Sequence, residues 1–436
     1  MEELRNQQII SLVRRFENQS HVLLTEPEVA AYCVGDSCPM AVVRARSEKD
    51  LLHWVQESYR QSATINVWGA GHHQSVGGSV AEHDLTLMTA DLSDIVEYMP
   101  DNQTVTVQCG VTLNELQAYL RQQNQFLPLN PPRSQSATVG GICAVNAYGS
   151  LAHAFGTVRD VLLGAKIVLA DGQSIKLGGK TVKNVAGYDL AKLFIGSMGT
   201  IGIFTEITLK LWPTPEQGYR IVHKSAGIEA LQNISAGIIH SNLPFLSCVI
   251  IGENKSGEIG WTLHASADAS HDQGKMIRQD IARLLRSDEK NIETTSSDHL
   301  IRPFAEEDHF FDFSSSDVIL KVIVPKSAIG EMLSHSVQDV SFPFEFLLYP
   351  GMGVVYLKWD TQHQKNDASL QQILQNLRAV AGGVGGTISV ERAPEKLKSG
   401  LDVWGLDKSL ADWYRKIKKE FDPRGIFVPG RFIGGL

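Results

Sequence analysis

The amino-acid sequence predicts an α+β protein with two main domains, and three observations support this expectation. The chain has 436 residues, 43% of them hydrophobic and 20% charged, which is long enough for two or three domains with cores of their own. Its first half alternates short strand-like runs with capped helices and contains two glycine-rich segments. Its second half mixes strand-like runs with two helices, a pattern typical of an α+β domain built on an antiparallel sheet.

The first half begins with apolar residues at helical spacing and continues with short runs of β-branched and apolar residues. Ser47 and Thr112 each offer an N-cap hydroxyl, with an acidic residue three positions later. We therefore predict helices at Glu2–Glu17, Ser47–Tyr59 and Thr112–Leu120, and strands at Thr64–Trp68, Leu85–Met88, Thr104–Cys109, Val161–Gly172 and Ile201–Trp212.

Pro213 and Pro215 end this pattern and mark the predicted boundary between the two halves. Beyond them we predict strands at Leu246–Ile251, Val318–Val324, Phe344–Tyr349 and Gly353–Trp359, and helices at Met276–Arg286 and Leu370–Ala381. A last helix, Ser409–Phe421, precedes a tail rich in glycine and proline, Asp422–Phe432.

Charge balance and cysteine content exclude several classes of protein. With 40 Lys+Arg against 48 Asp+Glu the formal net charge is -8, which argues against a nucleic-acid partner and leaves room for a local basic pocket. Five scattered cysteines argue against a disulfide framework and against an iron–sulfur cluster within this protein. The sequence shows no transmembrane segment and no signal peptide. We therefore expect a cytoplasmic protein that meets a membrane only through partners.

The two glycine-rich segments suit a dinucleotide. The first, Gly69–Gly78, follows a predicted strand but lacks the nicotinamide fingerprint Gly-x-Gly-x-x-Gly, because Gln74 stands at the third glycine position. Bare backbone N–H groups there suit a pyrophosphate, although a purely structural turn has the same pattern. The second, Ala137–Gly149, also presents bare backbone after an extended segment. Together they favour an elongated ligand that contacts both segments.

An ordered series of motifs resembles the FAD domain of the vanillyl-alcohol oxidase superfamily of flavoproteins. These motifs are Gly69–Gly78, Ala137–Gly141, Phe155–Asp160, Lys183–Leu190 and Gly196–Gly202. Two further segments, Val390–Pro394 and Phe421–Leu436, resemble the FAD-binding E subunits of glycolate oxidase within that superfamily. The resemblance covers residues 35–215 and 385–436, and the stretch between them matches in length and character.

The resemblance implies a bound FAD and a division of the sequence into four parts. These are an N-terminal helical segment at 1–34, a two-subdomain PCMH-type FAD-binding domain at 35–215, an α/β cap domain at 216–408, and a C-terminal helix and tail at 409–436 that return to the FAD domain. It also implies a catalytic flavin subunit and an iron–sulfur subunit as partners. In such a complex, hydride from a small 2-hydroxy acid reduces a flavin, and the electrons leave through the cluster to a quinone-type acceptor.

Candidate site residues follow from the same motifs. The cofactor-binding candidates lie in and beside the glycine-rich segments: Trp68, Gly69, Ala70, Gly71, His72, His73, Gln74, Gly77, Gly78, Pro132, Ala137, Thr138, Gly140, Gly141, Ala144, Asn146, Gly202 and Ile203. The catalytic candidates, Lys183, Asn184 and Tyr188, form a polar cluster expected near the flavin. A solvated loop charge at Lys183 and a structural cap at Tyr188 are the alternative interpretation.

One expected motif is absent, and this bears on the activity. Catalytic D-2-hydroxyacid dehydrogenases of the superfamily carry a metal-binding run of the type His-x-Gly-Asp-Gly-Asn-x-His, whereas His309 and His363 of this protein are isolated. We therefore predict no metal site and favour an accessory flavin subunit. The alternatives are a self-sufficient oxidase or dehydrogenase of a small hydroxy acid or sugar, and a scaffold that has lost its flavin.

Four single residues require separate hypotheses. In some relatives a histidine at the place of His72 is bonded covalently to the flavin, but here we favour a noncovalent role in the loop. Arg392 and Arg431 suit a carboxylate because a guanidinium forks onto two oxygens, and they equally suit pinning the tail to the body, which we favour for Arg431. Cys143 is expected to pack as a small hydrophobic residue.

Overall fold

A computed structural model of the protein contains two large hydrophobic cores, one in each half. The structure describes residues 7, 9–11, 13, 22–23, 26–133, 135–179, 189–225, 227–255, 258–269, 274–285, 292–314, 316–338, 344–361, 367–398 and 401–435. Of the predicted helix Glu2–Glu17 it describes five residues, all helical, among which Ile9 and Val13 are buried in the first core.

The bounds of the regular elements are as follows. The strands of the first half are β1 (Val22–Leu23), β2 (Ala41–Arg44), β3 (Ile65–Trp68), β4 (Leu85–Met88), β5 (Ile95–Met99), β6 (Thr104–Gln108), β7 (Gln125–Phe126), β8 (Leu162–Val168), β9 (Ser174–Gly178), β10 (Ile203–Lys210) and β11 (Trp212–Pro213). Those of the second half are β12 (Gln217–Ser225), β13 (Phe245–Lys255), β14 (Glu258–Asp268), β15 (Ile292–Ser296), β16 (Asp317–Ile323), β17 (Phe344–Tyr349), β18 (Val354–Asp360) and β19 (Thr387–Arg392). The helices are α1 (Glu26–Val29), α2 (Glu48–Gln61), α3 (Leu113–Arg121), α4 (Val139–Val145), α5 (Ala152–Phe155), α6 (Val158–Val161), α7 (Ala191–Phe194), α8 (Ile228–His240), α9 (Gly274–Leu285), α10 (Ser297–Ile301), α11 (Ala305–Phe310), α12 (Ile329–Gln338), α13 (Asp367–Gly383), α14 (Glu395–Lys398) and α15 (Lys408–Phe421). Among the described residues, no helix combines the length and the apolar character that a membrane crossing requires.

The first half is built on two sheets that share one core. The strands β2, β4 and β3 pair in parallel, so that α2 forms the crossover between β2 and β3. This helix begins at Ser47, whose hydroxyl accepts a hydrogen bond from the Asp50 N–H at 3.1 Å, and it buries Trp54 against the sheet. The second sheet is antiparallel, in the order β5-β6-β10-β8-β9. At the end of β3 the backbone enters the first glycine-rich segment.

The second half is built on an eight-stranded sheet in the order β15-β12-β14-β13-β17-β18-β16-β19, and each of its described pairings is antiparallel. One face packs against α8, α9, α12 and α13, with Leu231, Ile281, Met332 and Leu374 in the shared core. The other face packs toward the first half, where Tyr148 and Leu151 join its apolar clusters. The alternation of side chains along each strand separates the two faces.

The C-terminal segment returns to the first half, as predicted. The N–H of Ile65 donates to the carbonyl of Ile426 at 2.6 Å, and the N–H of Val428 donates to the carbonyl of Ile65 at 3.1 Å. The buried ammonium of Lys418 donates to the Asp422 carboxylate at 2.6 Å and to the carbonyl of Thr200 at 2.6 Å. The last helix and the tail are therefore attached at the edge of the parallel sheet.

Most local expectations are confirmed, and the second glycine-rich segment is the main correction. The helices predicted from Ser47 and Thr112 and the strands predicted in both halves are present with ends shifted by a few residues. The sequence analysis missed four strands and five helices of the second half: β12, β14, β15, β19, α8, α10, α11, α12 and α14. It also expected bare backbone over Ala137–Gly149 and predicted no helix there, whereas the structure has α4. Thr138 is the reason, because its hydroxyl accepts a hydrogen bond from the Gly141 N–H at 3.1 Å and caps the helix.

The cysteines require a second correction. Five scattered cysteines predicted no disulfide, but Cys33 and Cys38 are bonded to each other. The loop between them closes because Gly35 adopts a φ of 59° and brings the two Cα atoms to 4.1 Å. The remaining three cysteines are free and buried. For Cys143, burial raises the pKa to about 12, in agreement with the expected packing role.

Candidate functional site

The first glycine-rich segment lies between the end of β3 and the start of α4. Gly71 has a φ of 81°, a conformation that suits glycine. A Cβ added at Gly69 would lie 2.3 Å from the Thr138 hydroxyl, and one added at Gly140 would lie 2.7 Å from the Cβ of Cys109. These glycines therefore allow the loop, α4 and β6 to approach one another closely.

Their approach forms a cleft of about 640 Å³, which we call the glycine cleft. Most of the predicted cofactor-binding residues line it: Gly69, Ala70, Gly71, His72, His73, Gln74, Ala137, Thr138, Gly140, Gly141, Ala144, Gly202 and Ile203. The sequence analysis did not include several other lining residues among the cofactor-binding candidates: Val67, Thr89, Cys109, Val145, Met198, Gly199, Phe204 and Arg431. Of these, Met198 and Gly199 lie in Gly196–Gly202, one of the motifs of the family resemblance. That motif could have identified them as candidates.

Three cationic side chains from the C-terminal part of the protein donate hydrogen bonds to the first glycine-rich segment. Arg392 donates to the Ser75 hydroxyl at 2.7 Å and to the carbonyl of His72 at 3.2 Å. The ammonium of Lys398 donates to the carbonyl of Ser75 at 2.7 Å. Arg431 donates to the carbonyl of His73 at 2.6 Å and to the Gln74 side-chain oxygen at 3.0 Å. We call these three residues the cationic clamp.

Arg431 is the member of the clamp with the least compensation. Its side chain lines the glycine cleft, is only 3% exposed, and has a buried Nε without a hydrogen-bond partner among the described residues. Burial lowers the pKa of Arg431 to about 10, which still leaves the guanidinium charged at neutral pH. A buried charge of this kind is costly unless an anion pairs with it. The cleft is therefore electrostatically prepared for a negatively charged ligand.

Gly77 and Gly78 have a different place from the one predicted, because they do not line the cleft. The N–H of Gly78 donates to the carbonyl of Arg431 at 3.0 Å, and a Cβ at Gly78 would lie 2.2 Å from the carbonyl oxygen of Gly430. Both glycines thus allow the tail to pack on the loop. Trp68 also lies outside the cleft lining, since its ring packs edge-on against Tyr32.

A second cavity, of about 980 Å³, adjoins the glycine cleft and shares His72, His73 and Val145 with it. We call it the basic chamber, because Arg133, Lys321 and Arg392 line it. From the first half it is also lined by the predicted residues Pro132 and Asn146 and by Tyr148, and from the second half by Phe311, Phe313, Tyr356 and Glu391. The side-chain oxygen of Asn146 is buried there without a hydrogen-bond partner among the described residues. The chamber thus lies between the two halves, at one end of the glycine cleft.

The two histidines shared by the cavities are electrically neutral at pH 7. His73 is half-buried, and its desolvation lowers its pKa to about 3, with smaller contributions from Arg392, His72 and Arg431. Burial also lowers the pKa of His72, whose Nε2 lies 2.8 Å from the Ser136 hydroxyl. Neither imidazole therefore adds positive charge to the site.

The predicted catalytic residues Lys183, Asn184 and Tyr188 lie outside the described residues, and so does His363. His309 is exposed on α11. In the part of the protein that the structure describes, no group of three or more histidine, cysteine, aspartate or glutamate side chains is arranged to hold a metal ion.

Comparisons with known proteins point to the same ligand as the geometry. Residues 39–178 match the family model of an FAD-binding domain. The protein is 26% identical over 422 residues to glycolate oxidase subunit GlcD of Bacillus subtilis, covering 91% of this sequence and 89% of that protein. It is 28% identical over 418 residues to D-lactate dehydrogenase of Archaeoglobus fulgidus, covering 91% of each. It is 32% identical over 186 residues to glycolate oxidase subunit GlcE of Escherichia coli, covering 42% of this sequence and 53% of that protein.

A solved structure shares the fold. It is an alkyldihydroxyacetonephosphate synthase, and the match covers 97% of this protein and 84% of the synthase with a TM-score of 0.68 and 13% sequence identity. The fold prediction is therefore confirmed, including its FAD-binding domain.

The residues of the glycine cleft fit FAD. The protein is an FAD-dependent oxidoreductase. Gly69, Gly71 and Gly140 line the cleft with backbone that no side chain of their own covers, and an anionic ligand there would offset the buried charge of Arg431, whose Nε has no hydrogen-bond partner among the described residues.

We expect the FAD to be held without a covalent bond to His72. The Nε2 of His72 lies against Ser136, and its carbonyl is held by Arg392, so that the ring has a structural role in the loop. The intact mass of the denatured protein should therefore equal that of the polypeptide alone. A flavin adduct that disappears in His72→Ala but persists in His73→Ala would contradict this expectation.

Proposed function

We propose that this protein, whose residues 39–178 match the family model of an FAD-binding domain, is the FAD-binding subunit of a complex that oxidises a small 2-hydroxy acid. The basic chamber receives the acid, and the glycine cleft holds the cofactor. We include in the proposal the domain limits 1–34, 35–215, 216–408 and 409–436 and a cytoplasmic location.

The basic chamber is the observation that carries this proposal. It adjoins the cofactor cleft and is lined by three cationic side chains, those of Arg133, Lys321 and Arg392. A carboxylate is the charged group of a 2-hydroxy acid, and cations in a partly dehydrated cavity bind it more strongly than they would in water. A neutral alcohol lacks this interaction, so the chamber favours hydroxy acids over simple alcohols.

The chemistry is divided between the cofactor and the protein. Bound FAD supplies a hydride acceptor. The residues of the protein bind the carboxylate, exclude water between the two halves, and position the carbon that bears the hydroxyl. Lys183, Asn184 and Tyr188 stay predictions as the polar groups nearest the reacting atoms.

Separate partners complete the electron path in this proposal. Cys109, Cys143 and Cys248 are buried, and they are far from one another in the sequence. Cys33 is bonded to Cys38. The similarity to the GlcE subunit supports an E-type role beside a catalytic flavin subunit and an iron–sulfur subunit. Electrons from the substrate then leave through the cluster to a quinone-type acceptor.

A second candidate is a self-sufficient dehydrogenase of a small hydroxy acid. It is favoured by similarity over almost the whole sequence to the D-lactate dehydrogenases of Archaeoglobus fulgidus and Anaerostipes hadrus. The two candidates differ in whether turnover needs partners.

Purification from the native host tests the proposal. We expect a yellow protein that co-purifies with a second flavin subunit and an iron–sulfur subunit, and turnover of glycolate or lactate with an artificial electron acceptor only when the partners are present. Turnover by the isolated protein would favour the second candidate. Absence of turnover with any 2-hydroxy acid, in the complex and in isolation, would overturn both.

A further inference from the structure

Lys321 is a half-buried charged residue on the sheet face of the second half that packs toward the first half. On β16, Val318, Leu320 and Val322 point into the core under the helices. The intervening Ile319 belongs to the apolar cluster on the opposite face, next to Tyr349, Val354 and Tyr356. Strand alternation places Lys321 on that same face, opposite Tyr356 of β18.

The surroundings of Lys321 are aromatic. Its ammonium lies 5.0 Å from the ring centre of Tyr148 and 5.6 Å from that of Tyr356. Such cation–π contacts compensate only part of the free-energy cost of removing an ammonium from water. Glu391 on the adjacent strand β19 attracts the charge across the chamber. A hydrophobic residue of similar length would fill this position at lower cost.

The other two cations of the chamber are already engaged. Arg133 forms an ion pair with Asp312 at 2.6 Å. Arg392 is held by Ser75 and His72, and its guanidinium lies 4.0 Å from the ring centre of Phe313. Lys321 differs from both, because its neighbours in the chamber are the rings of Tyr148 and Tyr356, with a hydrogen bond to the Tyr356 side chain and the attraction of Glu391.

From this geometry we infer that Lys321 is the residue that anchors the substrate carboxylate, with Tyr148 and Tyr356 flanking the anion. The inference rests on the proposed function, of which it names the binding group. The ammonium sets the selection for acids over neutral alcohols, and its cost to the sheet is offset when an anion is bound. The opening of the chamber toward the glycine cleft places an acid held at Lys321 beside the cofactor.

Binding of oxalate to the FAD-loaded protein tests the inference without requiring turnover. The probe is a dicarboxylate that a 2-hydroxy acid site accepts but a flavin does not oxidise, and the readout is the change in the flavin absorption spectrum. We expect Lys321→Met to raise the dissociation constant of oxalate about 30- to 1000-fold, the effect of removing one partner of a buried charge pair. Lys321→Arg should stay within about tenfold of the wild type, because it keeps the charge.

Two controls separate anchoring from a loss of folding. The FAD content of Lys321→Met should equal that of the wild type, which shows that the variant is folded and that a loss of oxalate binding is a loss of the anchor. Lys176→Met, at an exposed lysine on β9, should leave oxalate binding unchanged.

Each outcome decides the inference. Equal oxalate affinity in wild type and Lys321→Met overturns it, and so does a wild type that binds no carboxylate. A wild type that binds oxalate through Lys321 but supports no hydroxy-acid turnover, alone or with partners, supports the anchor and overturns the proposed function. Turnover that is unaffected by Lys321→Met supports the proposed function and overturns the anchor.

Discussion

Replacing Arg431 with methionine should weaken FAD binding by about 100-fold, with a smaller effect on the stability of the cofactor-free protein. The guanidinium is buried at the wall of the glycine cleft, and its Nε has no partner among the described residues. In the cofactor-free protein this charge is a cost, and in the loaded protein an anionic ligand offsets it. The variant should therefore have a smaller difference in melting temperature between its loaded and cofactor-free forms.

Fluorescence titration of the cofactor-free protein with FAD, combined with melting curves of both forms, measures this effect. Arg46→Met, at an exposed arginine of the first half, is the control for loss of one positive charge. Arg431→Lys should recover part of the affinity, since it keeps the charge but not the fork of donors. If Arg431→Met lowers the stability of both forms equally and leaves the FAD affinity unchanged, the residue serves only to pin the tail to the loop.

Replacing Glu307 with glutamine should lower the free energy of unfolding by about 2–4 kcal/mol at pH 8. This buried carboxylate on α11 accepts hydrogen bonds from the Ser150 N–H at 3.1 Å, the Ser150 hydroxyl at 2.8 Å, the Phe304 N–H at 2.8 Å and the Tyr349 hydroxyl at 2.9 Å. Ser150 belongs to the first half and Tyr349 to the second, so Glu307 joins the two. The glutamine side chain has only one acceptor oxygen, and its NH2 group would face the remaining hydrogen-bond donors.

Two opposing effects determine the size of this change. Burial raises the pKa of Glu307 to about 7, against the opposite influence of its four donors, so that removing the charge relieves part of the burial cost. Hydrogen bonds to a charged group contribute about 1.5–3 kcal/mol each, and the loss of several outweighs that relief. Chemical denaturation of the wild type and the variant at pH 8, where the carboxyl group is largely ionised, gives the difference.

The neighbouring Glu306 provides a matched control. It is about half exposed and lies on the same helix, 3.9 Å from His264. Glu306→Gln should change the free energy of unfolding by less than about 1 kcal/mol. Equal effects of the two substitutions would contradict a joining role for Glu307.

Local sequence signals predicted the elements that depend on local interactions. Ser47 and Thr112 begin their helices through hydrogen bonds within one turn, and such interactions can be inferred from residue type and spacing. Strands with buried apolar residues, such as β4 and β6, were predicted for the same reason. The strand β12 was missed because its residues are a mixture of polar and apolar types, and its place in the sheet depends on pairing with β14 and β15.

The glycines of α4 show how packing overrides local preference. Each glycine inside a helix costs about 1 kcal/mol relative to alanine, so Gly140 and Gly141 argued against a helix. The structure nevertheless has one, because Val139, Ile142 and Cys143 are buried in the first core and Gly140 must lie against Cys109. Glycine is required at position 140 because the backbone lies close to Cys109 there, and not because of the conformational freedom of glycine.

By itself the sequence predicted a dinucleotide site in the glycine-rich segments, since glycine is the residue that leaves backbone uncovered and the order of the motifs resembles a family of flavoproteins. The tertiary structure alone decided how that site is charged. Arg392 and Arg431 reach the loop from positions 317 and 357 residues away along the sequence, and Lys321 reaches the basic chamber from the strand next to the edge of the sheet in the other half. No local pattern encodes such contacts, because they exist only after the return of the tail and the packing of the two halves bring distant side chains together.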